Sequence, residues 1–499
     1  MKFLLKPTEP SKLSTDLLIQ FVSEGEIRKL KGFSQEFISI VKDAAQREIF
    51  EGKEGQFLIV SGLGKIEPYK VLFVGTGKIE NVDYYNLNKF VSLAIKKAQS
   101  LKPVKISISV ADFWINKLSA RETVKGIIEA VSLSAYKFLK FKGEEEKSKS
   151  RPIEEVVIHL PPNKLAGGES GLAPGKITAD AVIFARDLVN EPPELTSPEF
   201  LANTALLIAK KSKGSVSVKI IEKGEIAKLG MGSFLGVAEG SDKPPKFIHL
   251  SYKPSAVAKK KVVIIGKGIT FDAGGLSLKP AEFMETMKLD MSGAAAVLGI
   301  FSALSALGPK VEVVGLIAAC ENMPSGRALK PGDILRAMNG KTIEVLNTDA
   351  EGRLTLADAI SFANMKEKAD EIIDLATLTG ACMVALGQEI AGAFGNDDKL
   401  LSKIEDAARS AAERVWRLPL PDDYKELLKS HIADIKNVQA GRYGGAITAS
   451  LFLSEFVGKT PWVHLDIAGP AYEEKDTPIA PYGGTGFGVR LLLSYLTGL

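Results

Sequence analysis

The feature that most restricts the fold is a set of short segments that are apolar at nearly every position. Val262-Val-Ile-Ile265 and Val311 to Ala318 stand out, and Glu371 to Leu375 and Val463 to Asp466 read as strands beside them. A strand with one wet face alternates apolar and polar residues. Near-continuous apolar runs instead mark strands covered on both faces, as in a mostly parallel sheet with helices above and below it. Val216 to Ile221 and Ile343 to Leu346 read as further strands, and helical periodicity over Ala294 to Leu307 and Leu356 to Lys366 separates them. The first third of the chain alternates in the same way. Strands are expected there at Gln56 to Val60, Lys70 to Val74, Val104 to Val110 and Val156 to Leu160, and helices at Asn86 to Ser100 and Ala120 to Phe138. Both parts are therefore expected to be α/β.

A chain of 499 residues is longer than one hydrophobic core usually serves, which argues for two domains. Pro161-Pro-Asn163 and Ala166-Gly-Gly-Glu-Ser-Gly-Leu-Ala-Pro-Gly175 are dense in Gly, Pro and Ser, the composition of a linker. The expected organisation is a smaller amino-terminal α/β domain over 1–165, a linker with a helix (Asp180 to Asn190) over 166–195, and a larger carboxy-terminal α/β domain over 196–499. The central sheet of the last is expected to be mostly parallel and flanked by helices. Charge supports the division, with 27 basic against 20 acidic residues up to 165 and 37 against 40 beyond it. The basic excess is scattered. Its densest run, Lys140 to Arg151, interleaves acids and reads as a solvated loop rather than a nucleic-acid patch.

The longest strongly apolar stretches are near ten residues, against the roughly 18 to 20 needed to span a bilayer, so no membrane partner is expected. Met1 to Pro7 holds too short an apolar core for a secretory signal, and a cytoplasmic protein is expected. Two cysteines exclude a disulfide framework and any CxxC site, and four histidines, none paired at i, i+4, exclude a zinc site of the HExxH kind. Any bound metal must be held by carboxylates.

In open α/β sheets ligands sit beyond the carboxyl ends of strands, and two segments there are unusual. After Val262 to Ile265 comes Gly266-Lys-Gly-Ile-Thr-Phe-Asp-Ala-Gly-Gly275 and then Leu276-Ser-Leu-Lys279, with Asp290 at a helix entrance further on. After the strand ending at Leu346 comes Asn347-Thr-Asp-Ala-Glu-Gly-Arg-Leu354, where Asp349 and Glu351, two apart, point the same way in an extended segment. Four carboxylates interleaved with Lys267, Lys279 and Arg353 would repel one another unless cations neutralise them. The residues alone point to a two-metal site with cationic helpers, serving either a hydrolysis or a phosphoryl transfer.

The octapeptide Asn347 to Leu354, together with Gly266 to Asp272, resembles the signature pair of the leucine aminopeptidase (cytosol aminopeptidase) family. The resemblance extends through Ala185 to Pro193, Ala376 to Gly380, Gly441 to Gly445 and Trp462 to Gly469, and so over most of the second domain. It implies hydrolysis of the amino-terminal residue, leucine and other apolar residues preferred, from short peptides with a free amino terminus. It implies that Asp272 and Glu351 bridge two divalent ions, that Lys267 and Asp290 complete one site, and that Asp349 completes the other. Mn²⁺ is favoured for these oxygen-rich donors, with Zn²⁺ or Mg²⁺ as alternatives. Lys279 would then stabilise an oxyanion and Arg353 would hold a bicarbonate ion as general base, while Met287, Thr377 and Gly380 fall where the family lines its side-chain pocket. The resemblance further implies a homohexamer. Because some bacterial members also act in recombination and transcription control, an added DNA-binding role through the basic amino-terminal domain is the alternative.

Overall fold

The computed structural model describes residues 1–78, 82–149, 151–258 and 260–499. Met1–Asp180 with Asp476–Pro481 forms one compact unit, and Ala181–Lys475 with Tyr482–Leu499 forms a second.

The first unit is built on six strands, β1 (Lys2–Lys6), β2 (Leu17–Val22), β3 (Phe57–Ser61), β4 (Lys70–Gly75), β5 (Lys105–Ser109) and β6 (Glu155–His159). Their spatial order is β1-β6-β5-β2-β4-β3, and every pairing is parallel except that of β3 with β4. Both faces of the sheet are covered. Leu17, Ile19 and Phe21 join helices Tyr84–Gln99 and Ala120–Ser134 in one core, while Leu18, Val22 and Phe73 pack with Phe37 and Val41 of helix Gln35–Arg47 in another. Of these elements, β1, β2 and helix Gln35–Arg47 lie in segments that periodicity leaves unassigned. The densest basic run contains a short helix, Glu144–Lys149, whose lysines are neutralised locally, Lys147 by Glu144 at 2.8 Å and Lys149 by Glu145 at 3.0 Å. Ser150, in the same run, lies outside the described residues.

The Gly- and Pro-rich run expected as a linker is helical. It forms the first half of a single helix, Leu165–Asn190, with Pro174 inside it. Its glycines serve close approach. A Cβ on Gly168 would lie 2.5 Å from Leu160 Cδ1, one on Gly171 2.4 Å from the Arg121 carbonyl oxygen, and one on Gly175 3.1 Å from the Lys125 backbone. The run therefore lies against Ala120–Ser134 almost backbone to backbone, and that packing outweighs the weak helix propensity of glycine. Composition alone cannot separate a flexible glycine run from one that lets two helices touch.

The second unit carries an eight-stranded sheet of β7 (Val216–Glu222), β8 (Lys246–Tyr252), β9 (Lys261–Asp272), β10 (Glu312–Asn322), β13 (Glu371–Ala376), β14 (Ile390–Gly395), β15 (Arg414–Arg417) and β17 (Trp462–Asp466). The order is β15-β14-β17-β13-β9-β10-β8-β7, with β17, β13, β9 and β10 forming a parallel centre. A separate three-stranded sheet holds β11 (Ile334–Arg336), β12 (Thr342–Glu344) and β16 (Ile435–Lys436). The strand before Asn347, expected among the core strands of the central sheet, belongs instead to this small sheet. Helix Ser292–Leu307 packs on β9 and is buried along most of its length. It ends the stretch Ala281–Leu307, which by length and composition could cross a membrane but lies mostly inside the protein, as a core helix does.

Candidate active site

The central strand does not stop at Ile265. β9 runs on to Asp272, so Lys267 and Asp272, expected in a loop, lie on the strand itself, opposite Ala318 and Asn322 of β10. Glycines make room for this extension. A Cβ on Gly266 would lie 2.4 Å from the Gly293 oxygen, and one on Gly293 2.7 Å from the Lys267 nitrogen, so strand and helix meet without intervening side chains. Asp290 sits in the 3₁₀ helix Met287–Met291, just ahead of helix Ser292–Leu307, and Glu351 immediately precedes helix Gly352–Phe362. All five proposed ligands and Lys279 gather where β9 ends.

Each lysine is shared between two carboxylates. Lys267 Nζ is 2.8 Å from Asp290 Oδ1 and 2.9 Å from Glu351 Oε1, and Lys279 Nζ is 2.9 Å from Asp272 Oδ2 and pairs also with Asp349. Burial disfavours a charged Lys267, but Asp290, Glu351 and Asp272 outweigh it and hold its pKa above the ordinary lysine value. Lys279 is raised likewise against burial, by Asp272, Glu351 and Asp349. Burial is the main cause that lifts the Asp290 carboxyl well above its usual range, and burial with the neighbouring Glu351 lifts Asp272. Asp349, partly open to solvent, is raised by burial and by Asp272.

Several residues without an assigned role hold this cluster in place. Asn322, the last residue of β10, donates from Nδ2 to Asp272 Oδ1 at 2.8 Å and to the Thr348 carbonyl at 3.0 Å. The Thr348 hydroxyl donates to the Gly274 carbonyl at 2.7 Å, tying the turn just after β9 to the Asn347 to Leu354 segment. Asp466 accepts from the Thr379 hydroxyl at 2.6 Å and the Leu378 amide at 3.2 Å, and so fixes the segment after β13. The only sequence signal for Asp466 is its place in the Trp462 to Gly469 segment, and Asn322 has none. Thr377 is more than a pocket wall, because its carbonyl accepts from Lys267 Nζ at 2.9 Å and its hydroxyl donates to Asp290 Oδ1 at 2.7 Å. Met287 is half-buried, and a Cβ on Gly380 would meet nothing within 4 Å, so space opens at that position. Arg353 is buried, and burial lowers its pKa to about 10; its Nη1 donates to the Asn437 carbonyl at 2.8 Å while Nε has no partner.

The donor set fits a divalent cation. Asp272, Asp290 and Glu351 each offer an oxygen within 4.8 Å of the others, and Asp290 Oδ2 and Glu351 Oε2 are buried without a hydrogen bond. Such oxygens in a buried cluster are what a metal ion satisfies. The spare Arg353 Nε likewise fits a small anion.

A parallel sheet whose central strand ends in a buried carboxylate cluster fits a metal-dependent hydrolase. The profile of the Cytosol aminopeptidase family catalytic domain matches residues 183–493, and that of the family's N-terminal domain matches residues 20–145. A probable cytosol aminopeptidase of Alkaliphilus metalliredigens (strain QYMF) is 41% identical over 498 residues, covering 99% of this chain and 98% of its own. Its counterpart in Synechococcus sp. (strain JA-3-3Ab) is 46% identical over 463 residues, covering 92% and 89%. A mutant of tomato leucine aminopeptidase superposes with a TM-score of 0.88 at 35% identity, covering 100% of this chain and 97% of that one. The bottromycin maturation enzyme BotP in complex with Mn gives a TM-score of 0.85 at 32% identity, covering 97% and 99%. The chain belongs to the cytosol aminopeptidase family and is a metallo-exopeptidase, a hydrolase.

Proposed function

We propose that this aminopeptidase releases leucine and other apolar amino-terminal residues from short peptides with a free amino terminus, using water activated between two divalent ions. The observation that carries this reading is the shared arrangement of two lysines and four carboxylates, with buried carboxylate oxygens left without partners. Asp272 and Glu351 would hold both ions, Lys267 and Asp290 one of them, and Asp349 the other. When bound, the ions supply Lewis acidity and bring the pKa of a shared water toward neutrality. Lys279, held as a cation by its carboxylate neighbours, stabilises the oxyanion that develops on the scissile carbonyl. Arg353 holds bicarbonate through its free Nε, giving the site a general base that no side chain provides. The open space at Gly380, beside half-buried Met287, takes the apolar side chain. Mn²⁺ is the favoured ion, supported by the oxygen-rich donors and by the Mn in the related BotP structure. A homohexamer in the cytoplasm completes the reading, and family membership alone supports it.

Hydrolysis of leucyl amide tests the reading against an amino-blocked analogue, before and after chelation and with Mn²⁺ restored. Loss on chelation, recovery with Mn²⁺ and indifference to the blocked analogue are expected. Equal cleavage of blocked and free substrates would overturn the requirement for a free amino terminus.

A further inference from the structure

The six-stranded sheet of the first unit changes its direction of growth at β2. After β2 the chain lays β3 and β4 on one side, then crosses back and lays β5 and β6 on the other. The connecting helices separate accordingly. Helix Gln35–Arg47, which follows β2, packs with Leu18 and Val22 on one face, and helix Ala120–Ser134, which follows β5, packs with Ile106 and Ile108 on the other. Where neighbouring parallel strands send their helices to opposite faces, a crevice opens beyond their carboxyl ends, and this is where α/β sheets take ligands.

A cavity of about 610 Å³ lies there, walled by the ends of β2 and β5, the segment after β6 and the connection that follows β2. Small-molecule sites typically measure about 300 to 1,000 Å³. Its apolar walls include the half-buried rings of Phe33 and Phe113. Its charges are of both signs, and some are already engaged, Glu9 by Lys12 at 2.8 Å and Glu26 by the Ser23 hydroxyl at 2.6 Å. Lys29 and Lys31 on the connection after β2, and Asp112 just beyond β5, line the cavity without an ion pair among the described residues. His159, at the end of β6, is half-buried beside the cavity; its ring is hydrogen-bonded to the Thr8 and Lys6 backbone and lies near the charges of Glu9 and Asp112.

We propose that this cavity binds a free α-amino acid. The carboxylate meets Lys29 and Lys31, the ammonium meets Asp112, and an apolar side chain lies against Phe33 and Phe113. A phosphate or nucleotide would satisfy the lysines but leave Asp112 facing like charge, whereas a zwitterion answers both signs. Amino acids are what an aminopeptidase releases, so the first unit would sense product through residues that take no part in hydrolysis. The inference needs only the aminopeptidase activity, not the two-metal mechanism or the apolar preference.

Equilibrium dialysis of labelled L-leucine against the full-length, metal-loaded protein tests it. Two sites per chain are expected, one catalytic and one here. Trp114, whose ring centroid is 4.7 Å from that of Phe21 and 4.8 Å from that of Phe113, should change its emission as the second site fills, and Trp114→Phe should remove that signal. Lys31→Met and Asp112→Asn, both exposed positions, should weaken one of the two sites by about tenfold while leaving the initial rate on leucyl amide unchanged. A single site in the parent, or two sites that both survive the variants, would refute the proposal. Binding of inorganic phosphate or AMP in the cavity with no binding of leucine would refute the ligand class assigned to it.

Discussion

The two units both open a cleft beyond the carboxyl ends of parallel strands, but they furnish it differently. In the second unit Lys267, Asp272, Asp290 and Glu351 are buried, and each lysine is locked between two carboxylates. In the first unit Lys29, Lys31 and Asp112 are exposed and unpaired among the described residues. Buried charge with fixed partners costs much desolvation and returns preorganisation, which chemistry requires. Exposed charge of mixed sign costs little, and it suffices where a ligand has only to dock and leave.

The sharpest test of that contrast sets one lysine from each cleft against the other. Lys279→Met removes the cation beside Asp272 and Asp349, and kcat on leucyl amide should fall by about 10²- to 10³-fold with metal content retained. Lys31→Met should leave kcat untouched. If the two substitutions cost the same, buried and exposed charge are not doing different jobs.

A smaller effect is expected where a glycine gives room to Lys267, a proposed ligand. A Cβ on Gly352 would lie 2.7 Å from Lys267 Nζ and 2.5 Å from its Cε. Lys267 is buried and held at three points, so it cannot swing aside without losing Asp290, Glu351 or the Thr377 carbonyl. Gly352→Ala should therefore weaken metal binding by about 10- to 100-fold, as loss of support around a ligand usually does. Gly380→Ala, with nothing near its Cβ, should keep metal affinity and lose rate selectively on large amino-terminal side chains. Metal titration and a substrate series separate the two.

Proton linkage should follow from the same burial. Asp272 and Asp290 have raised pKa values, so protons compete for these carboxylates above the usual carboxylate range, and the raised Lys267 must lose a proton to become a ligand. Both effects have one sign: binding releases protons, and affinity rises with pH. Calorimetric titration of the metal in two buffers of different ionisation enthalpy measures the release. Proton uptake on binding would contradict the assignment of these residues as ligands.

The same contrast explains what was legible in the sequence. The proposed metal site is written in short contiguous segments because each proposed ligand needs its neighbours: Gly266 and Gly293 let strand and helix touch, and Thr348 ties the turn after β9 to the Asn347 to Leu354 segment. Such segments are visible without a structure. Asn322 escaped because a polar residue ending an apolar strand resembles any other strand end, and its contacts, to Asp272 and Thr348, lie 50 and 26 residues away. The extension of β9 was hidden by two glycines that resemble a loop. The cleft of the first unit is assembled from short pieces of four separate segments, and nothing in any one of them announces it.

The smallest expected effect concerns the run that composition misrepresents most. Ala is a better helix former than Gly by up to about 1 kcal/mol, so on propensity alone Gly171→Ala should stabilise helix Leu165–Asn190. The packing predicts the opposite sign. The new methyl would lie 2.4 Å from the Arg121 carbonyl oxygen and 3.2 Å from the Lys125 nitrogen, both backbone atoms that cannot yield without moving helix Ala120–Ser134. Overpacking of this kind costs about 1 to 3 kcal/mol, more than the propensity returns. Gly143→Ala, which meets nothing within 4 Å, serves as the control and should be nearly neutral. Amide exchange in Ala120–Ser134 reports on the first unit directly and should quicken in Gly171→Ala alone, with the rate on leucyl amide unchanged. Slower exchange would mean that the glycines are tolerated in this helix and not required by it.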